Sequence, residues 1–149
     1  MSANVYPLTL LYDASCPVCR LEMDHLRERC IDGRLRFVDI SAPGFDPAPY
    51  GASLDEMNAA LHGITADGRT LKGVETLRAA YAAAGLGWVL RPSDWPLLRP
   101  LFDAGYRVFA RHRYGISRVL RPAVETVEAW RTARRMQACQ AGRCDARRH

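Results

Sequence analysis

Lysine is nearly missing from this chain of 149 residues: Lys72 stands alone among 21 basic side chains, and the other 20 are arginines. So uniform a preference reads as a bias of composition, and it is discounted as evidence for phosphate binding. Long apolar runs are also missing. Crossing a bilayer as a helix takes roughly 20 apolar residues, and the best candidate, Ala79 to Leu90, is interrupted by Gly85 and Gly87. No membrane span is expected. The N-terminal stretch has no basic residue ahead of its short apolar run, and Asp13 falls where a signal peptide needs small neutral residues. A cytoplasmic setting is the expectation, and in that reducing medium the five cysteines do not read as a structural disulfide framework. Internal repeats and low-complexity segments are lacking as well.

What is present suits one globular domain: 48% hydrophobic and 25% charged residues supply both a core and a solvated surface. The charge is lopsided. Residues 1–106 carry 10 basic and 13 acidic side chains, whereas residues 107–149 carry 11 and 3. The basic C-terminal part has neither a recognised motif nor interleaved aromatics, so nucleic acid is not an expected partner.

The chemistry concentrates in Asp13-Ala14-Ser15-Cys16-Pro17-Val18-Cys19. Val5 to Tyr12 reads as a buried strand. From Pro17, tolerated at a first helical position, Cys19, Met23, Leu26 and Cys30 recur every three or four residues on one helical face. Cys16 therefore falls at a helix N-terminus, where free N–H groups and the helix dipole favour a thiolate. Asp32-Gly33 ends that helix, and Arg34 to Ile40 reads as a second strand. Ser41 to Gly51 reads as loop, and Ser53-Leu-Asp-Glu56 as a capping box opening a short helix. Asp67-Gly68 marks a hairpin between His62–Thr65 and Thr70–Gly73. A third helix spans Val74 to Ala84 and stops at Gly85. The order is β-α-β-α-β-β-α, that of an α/β, thioredoxin-like three-layer fold over residues 1–86. Residues 87–138 are expected to form a helical extension packed on the core, with helices at about 101–112 and 122–138, and residues 139–149 are expected to form a flexible basic tail carrying Cys139 and Cys144.

Two chemistries compete for the CxxC. Zinc needs four ligands and a tight turn after the pair, whereas an amphipathic helix follows here, so no metal site is expected. A dithiol is favoured, with an exposed Cys16 attacking and Cys19 resolving. The intervening Pro17-Val18 provides no cation, which predicts a moderate depression of the Cys16 pKa. Asp13 has two readings, proton acceptor for Cys19 or turn-ordering carboxylate. Cys30 reads as a buried, inert thiol, and Cys139 and Cys144 as either unpaired tail thiols or a second shuttle pair. His25, His62 and His112 occur singly and read as structural. Pro17, Arg111 and Arg113 are candidate substrate contacts, although a solvated basic face is the stronger reading of the arginines.

The segment Tyr12 to Cys19 resembles the signature of the DCC family of thiol-disulfide oxidoreductases, named for Asp-x-x-Cys-x-x-Cys. The resemblance extends over most of residues 8–120, through Asp67-Gly68, Gly73-Val-Glu-Thr-Leu77 and the Arg-rich Tyr106 to Arg113. It implies a thioredoxin-like fold and a dithiol site without a cofactor, acting on a disulfide-containing substrate with a cellular dithiol as electron donor. Ala14 stands where the family usually has glycine. Asn58 to His62 lacks the cis-proline that thioredoxins place before the third strand, which argues against a conventional peptide groove. The alternative is a binding module on the same scaffold, its basic C-terminal helices docking an acidic partner while the cysteines stay silent or sense redox state.

Overall fold

The computed structural model describes residues 4–30 and 32–140, with side chains described as far as Gln137. Its elements follow the order read from the sequence: β1 (Leu8–Tyr12), α1 (Pro17–Arg29), β2 (Leu35–Asp39), α2 (Leu54–Ala59), β3 (His62–Ile64), β4 (Thr70–Lys72) and α3 (Val74–Ala83). A 3-10 segment at Gly87–Asp94 then leads to α4 (Arg99–Gln140). The four strands form one mixed sheet in the order β2-β1-β3-β4. β1 runs parallel to β2, with Leu10 opposite Phe37, and antiparallel to β3, with Leu10 opposite Gly63. β3 and β4 close as an antiparallel hairpin in which Gly63 faces Leu71.

Alternation along β1 sorts the core onto two faces. Leu8 and Leu10 pack with Met23 and Leu26 of α1 and with Ala80 and Ala83 of α3. Leu11 points the other way, onto Met57 of α2 and Ile40. Helices thus cover both faces of β1, and the loop leaving its C-terminal end opens between them. The local stops are those expected. Ser53 Oγ accepts from the Glu56 amide while the Glu56 carboxylate takes the Ser53 amide, and Gly85, at φ +73, closes α3 in the left-handed conformation that glycine adopts without strain.

Several boundaries differ. β1 begins at Leu8, because Pro7, held by a cis Tyr6–Pro7 bond, cannot donate to a ladder. The larger difference is C-terminal. In place of two helices separated before Pro122, a single 42-residue helix runs straight through that proline, about 63 Å at 1.5 Å per residue. Pro122 removes one backbone donor from the helix, but the far side is tied down. Arg20 of α1 forks onto Glu128 at 2.8 and 3.1 Å, and Glu28 pairs with Arg135. Contacts on both sides of Pro122 thus join α4 to the α1 end of the fold. The expectations for the tail, and for pairing of Cys139 with Cys144, fall on side chains outside the described residues.

Candidate active site

The site lies where β1 hands over to α1, and its geometry starts with a capping interaction. Cys16 is the N-cap of α1, with extended backbone (φ −86, ψ 110), and its Sγ accepts from the Cys19 amide at 3.4 Å, the place a serine or aspartate oxygen usually takes. Pro17 follows as the first helical residue, and that single turn puts the Cys16 and Cys19 side chains together. The Cys19 thiol donates to Cys16 Sγ, and this bond leads the causes that bring the Cys16 pKa down to about 6. Burial opposes the shift, while Ser117, the Cys19 amide and the Arg113 charge add to it. Cys19 moves the opposite way: donating to Cys16 raises its pKa, as do burial and the neighbouring Cys16 charge. The pair thus divides into one thiolate and one thiol that keeps its proton.

The expectation of an exposed Cys16 is not met. Cys16 has no accessible surface, because α4 crosses over it and sets Ser117 Oγ 3.4 Å from its sulfur. The cation absent between the cysteines comes from the same helix. Arg113 is buried beside Asp13, its Nη2 donating to Asp13 Oδ2 at 3.3 Å, to Asn58 Oδ1 at 3.1 Å and to the Tyr114 hydroxyl at 3.0 Å. The Arg113 Nε is buried without a partner among the described residues. Arg111 is not brought to this site. Residues two apart on a helix point about 200° from each other, so burying Arg113 turns Arg111 outward, to an exposed groove with Arg107 and His112.

Asp13 is saturated with donors. Its Oδ1 accepts from the Ser15 amide at 2.8 Å and the Ser15 hydroxyl at 2.5 Å, and its Oδ2 from the Tyr114 hydroxyl at 2.6 Å as well as from Arg113. Burial by itself would raise its pKa, but these bonds and the guanidinium outweigh that, and the carboxyl sits below its usual range. Such a group orders the loop and holds Arg113. Neighbouring Asp39 accepts from the Ala14 amide at 3.1 Å, fixing the same turn from β2.

Beside the pair is a cavity of about 270 Å³ between α1, α3 and α4. Cys19, Asp13, Glu22 and Arg113 reach its wall, and Val18 rather than Pro17 represents the segment between the cysteines. The remaining wall is largely aliphatic and aromatic. Tyr106 braces this wall: its hydroxyl oxygen accepts from Leu61 N–H at 2.7 Å, and its ring packs against Gly73, where an added Cβ would approach to 3.0 Å.

The chain matches the DCC1-like thiol-disulfide oxidoreductases over residues 10–119, a span that takes in both cysteines, Asp13, Arg113 and Ser117. It belongs to that family. An uncharacterized chloroplastic protein of Arabidopsis thaliana is 32% identical over 136 residues, which is 90% of this chain, and the chain spans 63% of that relative's length. No solved structure matches the chain. Within this DCC1-like protein, the other sequence candidates take structural places. Cys30 is buried at the C-terminus of α1, donates to Asp32 at 3.1 Å, and has its pKa raised by burial and by that bond. His62 is buried in β3 with Nδ1 2.8 Å from the Ala60 carbonyl. Among the described residues no three His, Cys, Asp or Glu side chains come together as a metal set.

Ser117, Tyr114 and Asn58 were not among the sequence candidates. Their signal was faint but physical: Tyr106, Ala110, Arg113 and Ser117 recur at spacings of four, three and four, so one helical face carries an arginine and a serine inward among small and aromatic residues.

Proposed function

We infer that this DCC1-like protein exchanges thiols and disulfides, with Cys16 attacking and Cys19 resolving. The observation that carries the reading is the surroundings of Cys16 Sγ. Three donors, the Cys19 thiol, the Cys19 amide and the Ser117 hydroxyl, together with the Arg113 charge favour the thiolate at that atom, and the thiolate is the form that attacks a disulfide. Family membership supports the same chemistry. The mixed sheet, flanked by helices with the CxxC at the β1–α1 junction, suits a thioredoxin-like scaffold.

In the reaction, the Cys16 thiolate bonds to one substrate sulfur as the substrate S–S bond breaks and the second sulfur leaves as a thiolate. That thiolate takes the proton of Cys19. The Cys19 thiolate so formed attacks Cys16 Sγ, closing the Cys16–Cys19 disulfide and expelling the first substrate sulfur. Two electrons pass to the substrate, and a cellular dithiol returns them. Asp13, with its depressed pKa and four donors, acts as a positioning residue for Arg113 and the loop rather than as the base. A reducing compartment such as the cytoplasm belongs to this proposal.

The test is turnover of a disulfide with dithiothreitol as electron donor. Cys16→Ser is expected to abolish it, and Cys19→Ser to accumulate a mixed disulfide on Cys16 visible by mass. Full activity in Cys16→Ser would overturn the reading.

A further inference from the structure

The cover over Cys16 decides which disulfides can reach the pair. With no accessible surface on Cys16 and Ser117 seated on its sulfur, an extended peptide cannot lie across the dithiol as long as α4 is docked. The approach that remains is the cavity of about 270 Å³ walled by Cys19, and Cys16 Sγ lies one hydrogen bond behind that wall. This volume falls just below that of the pockets that hold drug-sized molecules, which run from roughly 300 Å³ upward, so the occupant is small.

The lining specifies the occupant further. Leu11, Met23, Met57, Leu77, Leu90 and Phe109 make most of the wall apolar. Its charged members are two carboxylates, Asp13 and Glu22, against one guanidinium, Arg113. Asp13 consumes the charge of Arg113 through their contact, and Glu22, which accepts from the Tyr81 hydroxyl, is left as an uncompensated negative wall. A negative ligand is repelled there, and more so once Cys16 is ionised. Arg113 still has donor capacity, since among the described residues its three hydrogen bonds all leave from Nη2 and none from Nη1. A neutral acceptor such as an amide carbonyl complements it.

We propose that the cavity beside Cys19 is the substrate site, and that its substrate class is a small, uncharged, mainly apolar disulfide carrying one hydrogen-bond acceptor. The proposal rests on the exchange reading above and narrows it from disulfides in general to ones that enter this cavity. The exchange steps and their electron balance are those already given, the ligand leaving as a dithiol.

The test compares lipoamide with lipoate, which share one cyclic disulfide and an apolar arm and differ in a neutral amide against a carboxylate. Glutathione disulfide serves as a large, charged comparison. The measured quantity is the rate constant for oxidation of the reduced full chain. Lipoamide is expected to be faster than lipoate by about tenfold or more, the discrimination that one like-charge repulsion supplies. Glu22→Gln should narrow that ratio, and Leu77→Phe, which shrinks the cavity, should slow lipoamide while leaving the Cys16 titration unchanged. A separate arm uses octanamide and octanoate, which have no disulfide, in calorimetry on Cys16→Ser. Equal rates for lipoamide and lipoate, or a preference for glutathione disulfide or a disulfide-linked peptide, would overturn the assignment while leaving exchange intact. Preferential binding of octanamide by Cys16→Ser, with no exchange of any of these disulfides by the native chain, would sustain the cavity as a site for small neutral apolar ligands and overturn the exchange reading instead.

Discussion

Removing the Ser117 hydroxyl is the most direct way to ask what α4 does to Cys16. Ser117→Ala keeps the helix, since alanine is the best helix former, and takes away one donor 3.4 Å from the sulfur. A hydrogen bond to a charged group contributes about 1.5–3 kcal/mol, and the low end of that range, at 1.36 kcal/mol per unit, moves the Cys16 pKa up by about one. From about 6 in the native chain, the variant then titrates near about 7, and the thiolate fraction at neutral pH falls from about 90% to about 50%. Absorbance at 240 nm against pH reads this directly. Exchange kinetics give a sharper check, because nucleophilicity rises with thiol pKa at a slope of about 0.4–0.5. The variant is expected to react about threefold faster than the native chain at about pH 8.5 and about threefold slower at about pH 5.5, the two profiles crossing near about pH 6.6. Parallel profiles with an unmoved 240 nm titration would refute the argument that Ser117 stabilises the thiolate.

Asp13→Asn leaves the buried Arg113 without its carboxylate and should cost about 3–5 kcal/mol by urea unfolding at neutral pH. Because the folded Asp13 pKa lies below the unfolded value of 3.8, its contribution is complete above that value and disappears as pH falls through the folded pKa, so the native and variant stabilities should converge in acid. Cys30→Ala should leave the exchange rate and the 240 nm titration unchanged and lower stability by about 1 kcal/mol, the ordinary cost of a small core deletion. Gly73→Ala forces a side chain into φ +61 with ψ −126 and within 3.0 Å of the Tyr106 ring. A loss of about 1–3 kcal/mol is expected in thermal unfolding.

The parts of the fold that were legible are those written in short spacings. The capping box at Ser53 and Glu56, the hairpin at Asp67-Gly68, the stop at Gly85 and the cysteine cap on α1 each depend on residues within a turn or two, and each formed as read. The site was half legible for the same reason. Cys16 and Cys19 sit three apart, whereas Asp13 meets Arg113 across 100 positions and Cys16 meets Ser117 across 101. No local pattern specifies which face of a distant helix lands on a loop. Pro122 misled for a related cause: a proline within a helix is a local penalty, and the contacts from Arg20 and Glu28 that hold the helix beyond it come from α1. Treating Arg111 and Arg113 together missed that a helix separates neighbours two apart onto opposite sides.

The distance in sequence between Cys16 and its cover also says when the reactive thiolate comes into being. During synthesis on the ribosome, β1 and α1 emerge long before Ser117 and Arg113, and a chain halted at α3 has the dithiol with neither the serine donor nor the arginine charge. Its Cys16 has lost two of the influences that depress its pKa, and with them part of the burial that opposes them. The surroundings that Cys16 has in the folded chain are complete only once α4 docks, so the order of synthesis separates the making of the dithiol from the making of its cover.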